Sequence, residues 1–166
     1  ETALYGVEIS YYVRMNFTGF VQVIDALGGV SVYSDREFTV ENIRTYQEGY
    51  NQLTGIEALA FARERMSFPE GDYQRAKNQM EVIRAVVEKA ASPALLENLS
   101  QVLDAVEGNF ETNLPRAQIM TLAPALSGNW NITTYTTSGQ SAYRETYSMP
   151  GAELYVILPD EDSVAQ

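Results

Sequence analysis

The chain has 166 residues, of which 45% are hydrophobic, and this length and composition fit one domain with a core of ordinary size. Its 22 acidic residues outnumber the 11 basic ones, and the net charge of -11 argues against nucleic acid as a partner, because duplex binding draws on clustered lysine and arginine. Cysteine and histidine are both absent, which excludes disulfides, thiolate or imidazole metal sites, and catalytic triads that use histidine as the base.

The first third of the chain predicts strands around one helix. Residues 8–15 are rich in β-branched and aromatic side chains and predict a strand. Asn16 is a good N-cap for the helix that follows, and Gly28-Gly29 ends that helix. Residues 30–33 predict a short strand, and the polar stretch after it predicts a small hairpin around residues 48–49.

Helices dominate the middle of the chain. Thr54 caps a helix that ends near a pair of arginines, and a long helix follows over about residues 71–91. The apolar residues of the long helix that follow helical spacing are Met80, Ile83, Val86 and Val87. Proline at position 93 opens another helix to about residue 106, and a shorter helix covers residues 114–126.

The last part of the chain predicts closing strands. Residues 131–137 alternate, whereas residues 154–158 form an unbroken apolar run that is typical of a buried strand. The polar, tyrosine-bearing segment 138–151 between them predicts a plain connection, with a mobile loop over a site as the alternative. The acidic tail from residue 160 is expected to fray. The order of elements predicts a single α/β domain over residues 1–166.

Positive charge is concentrated in residues 61–79 of this acidic chain. Arg63 and Arg65 lie just before a break at residues 69–71. A turn at the break would fold them over the first turn of the next helix, where free N–H groups and the helix dipole favour an anion. The planar donor fork of arginine matches phosphate oxygens, so this stretch predicts a phosphate site.

Three polar residues share one face of the long helix. Asp72, Arg75 and Gln79 stand at i, i+3 and i+7. Gln79 adds a neutral donor, while Asp72 is suited to orient an arginine, to help hold a divalent cation such as magnesium, or to take a proton. The alternative interpretation is a solvated charged patch with an ordinary i, i+3 pair.

These motifs resemble the LytR-CpsA-Psr family in content and in order. The shared site motifs are an R-x-R step at Arg63 and Arg65, Gly71-Asp72 after a short loop, and R-x-x-x-Q at Arg75 and Gln79. The flanking likeness comprises SYYVRMNFTGFVQVIDALGGVSV at residues 10–32, LTGIEALAFARER at residues 53–65, and ETNL at residues 111–114. The resemblance covers most of residues 5–137 and implies a layered α-β-α sandwich with a central mixed β-sheet flanked by helices.

The resemblance implies a magnesium-dependent cell-envelope phosphotransferase. Such enzymes move a teichoic acid or capsular polysaccharide from a polyprenyl pyrophosphate carrier to peptidoglycan. Carried over to this chain, Arg63, Arg65, Arg75 and Gln79 contact the pyrophosphate, and Asp72 joins the three arginines as a catalytic residue. The family is also often labelled as transcriptional regulators or attenuators, but nothing in the chain supports direct DNA binding.

Family domains are longer at the amino end than this chain. There, a membrane anchor precedes strands with further aspartates and an arginine, including the groups that help hold the metal. We therefore expect the chain to be the carboxyl-terminal part of such a domain, with most metal ligands outside it and the full-length protein anchored outside the bacterial cell membrane. The alternative function is a module that binds polyprenyl phosphate or an anionic glycan without chemistry.

Overall fold

The computed structural model describes Gly6, residues 8–126, Thr133 and residues 137–164. The described chain contains both helices and strands along its length, which confirms the predicted α/β class. The elements are β1 Val13–Met15, α1 Phe17–Ala26, β2 Val30–Ser34, β3 Phe38–Val40, β4 Arg44–Tyr46, β5 Gly49–Leu53, α2 Gly55–Arg63, α3 Asp72–Ala90, α4 Pro93–Glu97, α5 Leu99–Ala105, β6 Phe110–Thr112, α6 Arg116–Leu126, β7 Gly139–Thr146, β8 Met149–Pro159 and α7 Glu161–Val164. These elements fall into two compact units, a larger one that runs from β1 to α6 and a smaller one that holds β7, β8 and α7. The single domain stays a prediction.

The described strands pair two by two. The pairs are β1 with β6, β2 with β5, β3 with β4, and β7 with β8, and all four are antiparallel. This pairing differs from the central mixed sheet that the family resemblance implies. Two of the pairs, β3–β4 and β7–β8, are antiparallel because a short turn joins consecutive strands.

Helix α1 begins and ends at the predicted residues. The Asn16 side chain accepts a hydrogen bond from the Gly19 amide at 2.7 Å, so it is the predicted N-cap. Gly28 and Gly29 follow the helix with φ of 74° and 83°, a left-handed conformation that glycine adopts without strain. The strand predicted before the helix is shorter than expected, because only its last three residues pair, with β6.

The small hairpin lies earlier than residues 48–49. Strands β3 and β4 form it, and Asn42 in their connection has a φ of 61°. The residues around Glu48 instead connect β4 to β5, which belong to different sheets. The Asn51 side chain holds this connection by bonding the Gln47 amide and carbonyl at 2.9 and 2.8 Å. The prediction was wrong because a turn signal does not specify which strands pair.

The helical middle follows the predictions except at one break. Thr54 and Glu57 form a capping box at the start of α2, and α3 is a single 19-residue helix. The helix predicted from Pro93 to about residue 106 is divided at Asn98, whose φ of -113° leaves the helical range. No helix in the described residues is long and apolar enough to cross a membrane.

The core of the larger unit is an aromatic cluster beneath two small sheets. The rings of Phe38, Tyr46, Phe61 and Phe68 contact one another with centroids 4.7–5.4 Å apart. Aliphatic side chains from α1, β2, β5 and α3 complete the cluster. Because Phe61 lies in α2 and Phe68 in the turn after it, the core holds both sides of the segment that carries Arg63 and Arg65.

The smaller unit corrects the predictions for the end of the chain. The segment predicted as a connection forms β7, which pairs with β8 as a hairpin. Strand β8 contains the apolar run predicted to be buried, but Ile157 and Leu158 are 46% and 40% exposed, since β8 has one strand partner in the described residues. Residues 161–164 form the short helix α7 instead of a frayed tail. The strand predicted at 131–137 lies almost entirely outside the described residues.

Candidate functional site

The segment between α2 and α3 is a compact turn fixed by its own side chains. Phe68 is buried in the core, and the Ser67 amide donates to a Glu64 carboxylate oxygen at 2.8 Å. The Arg65 carbonyl accepts from the Phe68 amide, and Gly71 begins α3 with a φ of 53°. The predicted turn therefore exists, and it leaves Arg65 on the exposed side.

A third arginine braces this turn from outside. The guanidinium of Arg36 lies 5.8 Å from the Phe68 ring centroid and pairs with Glu70 and Asp35, each at 3.3 Å. A hydrogen bond from its own backbone amide lowers the pKa of Glu70, and the charge of Arg36 lowers it further. Arg36 is thus neutralised by carboxylates, which distinguishes it from the two arginines of the R-x-R step.

Arg63 and Arg65 differ from most arginines of the chain. Six other described arginines lie within 4.0 Å of a carboxylate oxygen, whereas these two form no ion pair with any described residue. The guanidinium of Arg63 lies 4.4 Å from the ring centroid of Phe17 at the start of α1, a cation–π contact that holds its position. Both arginines are exposed, so their donors are available to an anion.

The three polar residues of α3 are joined in two separate contacts. Asp72 and Arg75 form an ion pair at 2.5 Å, with side chains 69% and 36% exposed. Gln79 donates from Nε2 to the Ala62 carbonyl at 3.3 Å, which ties α3 to the end of α2 one residue before Arg63. The structure thus places Gln79 beside the R-x-R segment. Hydrogen bonds in the described residues do not connect Arg63 or Arg65 to Asp72 or Arg75.

An apolar cavity of about 480 Å³ adjoins this segment. Gln79 and Ala62 contribute to its wall, and the rest is apolar side chains of β1, α1 and α3. The cavity is lined by three of the four residues predicted as the apolar face of α3, namely Ile83, Val86 and Val87. The contribution of β1 and α1 was not predicted, because no spacing in the sequence links these elements to α3.

The family of the chain follows from comparison with known proteins. Residues 2–159 match the model of the LytR_cpsA_psr family. The chain belongs to this family. It is 42% identical over 113 residues to the polyisoprenyl-teichoic acid–peptidoglycan teichoic acid transferase TagU of Bacillus mycoides (strain KBAB4), a match that covers 68% of the chain and 37% of the relative.

Two further matches extend over nearly the whole chain. The TagU of Halalkalibacterium halodurans is 32% identical over 162 residues, which cover 94% of this chain and 50% of that protein. The crystal structure of B. subtilis TagV superposes with a TM-score of 0.81 and 25% identity, covering 98% of this chain and 63% of that one. This LytR_cpsA_psr chain therefore spans about half the length, or less, of the curated relatives it matches.

The described part of this LytR_cpsA_psr chain offers little for a metal. It contains no group of three or more carboxylate, histidine or cysteine side chains close enough to hold an ion. Asp72, the acidic residue of the predicted site, is already paired with Arg75. These residues do not by themselves fit a divalent cation. The predicted roles of Asp72, Arg63, Arg65, Arg75 and Gln79 stay predictions.

Proposed function

We propose that this chain holds the head group of a polyprenyl pyrophosphate, and that the whole protein transfers a glycopolymer from that lipid to peptidoglycan. The observation that carries the proposal is the pair Arg63 and Arg65, whose guanidinium groups form no ion pair with a described carboxylate and which lie at the end of helix α2, beside an apolar cavity. A lipid diphosphate has the same two parts, an anionic head and an apolar tail.

The arginines supply the electrostatic part of the reaction. The acceptor hydroxyl attacks the phosphorus atom that carries the polymer, the anhydride bond to the lipid phosphate breaks, and lipid monophosphate leaves. Negative charge grows on the leaving phosphate, and guanidinium groups fixed near it stabilise that charge more than they stabilise the ground state. Arg63, held over Phe17, and Arg75, held by Asp72, are already ordered by these contacts.

Asp72 is proposed as the acid–base residue. The hydroxyl must lose a proton as the new phosphorus–oxygen bond forms, and a positioned carboxylate is suited to accept it. Its ion pair with Arg75 keeps the carboxylate oriented, and its exposure leaves it accessible to an acceptor. The described residues do not by themselves fit magnesium, so the roles proposed for the arginines and for Asp72 do not include the ion. The binding experiment below compares lipid binding with and without magnesium.

We propose the class of the transferred polymer and the cellular location of the whole protein from the names of the relatives. Two relatives are named as teichoic acid transferases acting on a polyisoprenyl-linked substrate and peptidoglycan, so a teichoic acid is the first candidate and a capsular polysaccharide the second. These substrates belong to the bacterial cell envelope. We therefore propose that the whole protein works outside the membrane, attached to it by an anchor.

The test is binding of a polyprenyl pyrophosphate to this chain, measured by calorimetry with and without magnesium. We expect the double variant Arg63→Ala/Arg75→Ala to lose binding, whereas the control Arg116→Ala/Arg144→Ala, which removes the same charge elsewhere, keeps it. Asp72→Asn should bind the lipid but fail in transfer when placed in the full-length enzyme. Unchanged binding by the double variant, or no binding by folded wild type, would contradict the proposal.

A further inference from the structure

Helix α3 borders a second recess on its other side. Glu81, Arg84 and Glu88 stand at i, i+3 and i+7, and helical geometry places this row nearly opposite the Arg75 and Gln79 row. Together with the outer face of the β2–β5 sheet they enclose a cavity of about 370 Å³. That volume is within the range of small-ligand pockets, about 300–1,000 Å³. The transfer chemistry proposed above uses none of these residues.

Two tyrosines form the wall of this recess on the sheet side. Tyr33 of β2 and Tyr50 of β5 are direct cross-strand partners, and their rings meet edge to face with centroids 5.3 Å apart at 71°. They remain 43% and 75% exposed, although the opposite face of the same sheet is buried in the core. An edge-to-face pair leaves one ring face uncovered, and such a face stacks on the C–H side of a sugar ring.

The charged residues of α3 on the other wall of the recess indicate which kind of sugar fits. Glu81 and Glu88 offer carboxylate oxygens that accept from hydroxyl groups, and Arg84 offers donors while lying 3.8 Å from Glu81. Two carboxylates and one guanidinium leave the recess with one net negative charge, which disfavours phosphate-bearing polymers. Aromatic faces beside hydrogen-bonding charged groups suit a ring with many hydroxyls and no charge.

We propose that this recess is a binding site for an uncharged saccharide, whose rings stack on Tyr50 and Tyr33 and whose hydroxyls bond to Glu81, Arg84 and Glu88. The proposal does not require the arginine site to bind lipid. If the transfer function is also correct, this recess would hold an uncharged glycan strand of the acceptor, peptidoglycan.

The experiment is a titration of the 166-residue chain with three uncharged tetrasaccharides, chitotetraose, cellotetraose and maltotetraose, followed by NMR chemical shifts. We expect at least one to bind, with shifts confined to β2, β5 and α3. Tyr50→Ala should weaken binding by about tenfold, and Tyr50→Phe, which keeps the ring face, should retain most of it. Tyr147→Ala, which removes a fully exposed tyrosine in the other unit, is the matched control.

Two outcomes would overturn the proposal. Either folded wild type binds none of the three saccharides, or Tyr50→Ala and Glu88→Gln both bind as tightly as wild type. Circular dichroism checks that each variant is folded, which is expected because both side chains are exposed. Arg75→Ala separates this site from the lipid site, since it should bind the saccharide normally while its lipid binding falls.

Discussion

Replacing Glu57 with glutamine should destabilise the fold in a pH-dependent way. One carboxylate oxygen of Glu57 accepts from the Thr54 amide and hydroxyl at 2.8 and 2.9 Å, and the other accepts from Arg44 at 3.2 Å. Burial raises the pKa of Glu57, but the Thr54 donors and the charge of Arg44 outweigh burial, so its pKa is lowered from the ordinary 4.5. The charged form is therefore the one that stabilises the native state.

The expected loss can be worked from these contacts. An N-terminal cap contributes about 1 kcal/mol, and glutamine keeps part of this because its carbonyl still accepts. The Arg44 pair has side chains 33% and 22% exposed, so solvent screening limits it to about 1 kcal/mol. Glu57→Gln should lower the free energy of unfolding by roughly 1–2 kcal/mol near neutral pH.

The assay is urea unfolding of both proteins near neutrality and in acid. A carboxylate with a lowered folded pKa stabilises the protein above its ordinary pKa of 4.5 and loses that contribution as pH falls through the folded value. The gap between wild type and Glu57→Gln should therefore narrow in acid. Glu48→Gln, an exposed glutamate in a connection, is the control. An equal gap at both pH values, or the same loss in the control, would refute the reasoning.

Three further substitutions test other contacts through urea unfolding. Asn16→Ala removes the N-cap of α1 and should cost about 1 kcal/mol. Gly55→Ala should cost about 1–3 kcal/mol, because its Cβ would overlap the backbone of Val21 and α1 would have to move. Tyr46→Phe loses a 2.7 Å hydrogen bond to the Glu57 carbonyl, at about 1 kcal/mol. Burial raises the Tyr46 pKa from 10.0 to about 12, so wild type should lose stability as alkaline pH rises through that range, and the phenylalanine variant should lose less.

Helix ends were predictable because residues a few positions apart determine them. Asn16 and Thr54 act as caps in the structure, and Gly28 follows the end of α1 as expected. The Asp72 and Arg75 pair is likewise a consequence of spacing on one helix. In each case the sequence contains both partners within one or two turns, so no knowledge of the tertiary structure is needed.

Contacts between distant residues were not predictable from the pattern. β1 contains only three residues because it pairs with β6, where Val13 opposes Thr112. Arg63 reaches Phe17 of α1, although the sequence suggested that it would turn towards α3. β-Propensity depends on such partners, so a stretch that favours extended backbone remains unpaired where no strand lies beside it. Helix α3 therefore forms as predicted, whereas the direction of the Arg63 side chain differs from the prediction. The roles of the site residues stay predictions.

The site also depends on a row of buried amides that carries no charge. Gln74 and Asn78 are each 3% exposed, and they bond to each other at 3.1 Å while Asn78 donates to the Phe61 carbonyl of α2 at 3.3 Å. Each amide immediately precedes a predicted site residue, Arg75 or Gln79. Sliding α3 along its axis would break buried hydrogen bonds, each of which is costly to leave unmade. The buried row thus fixes the position of α3 along α2, and with it the point at which Gln79 meets the end of α2. A binding site gains precision from such support beneath it.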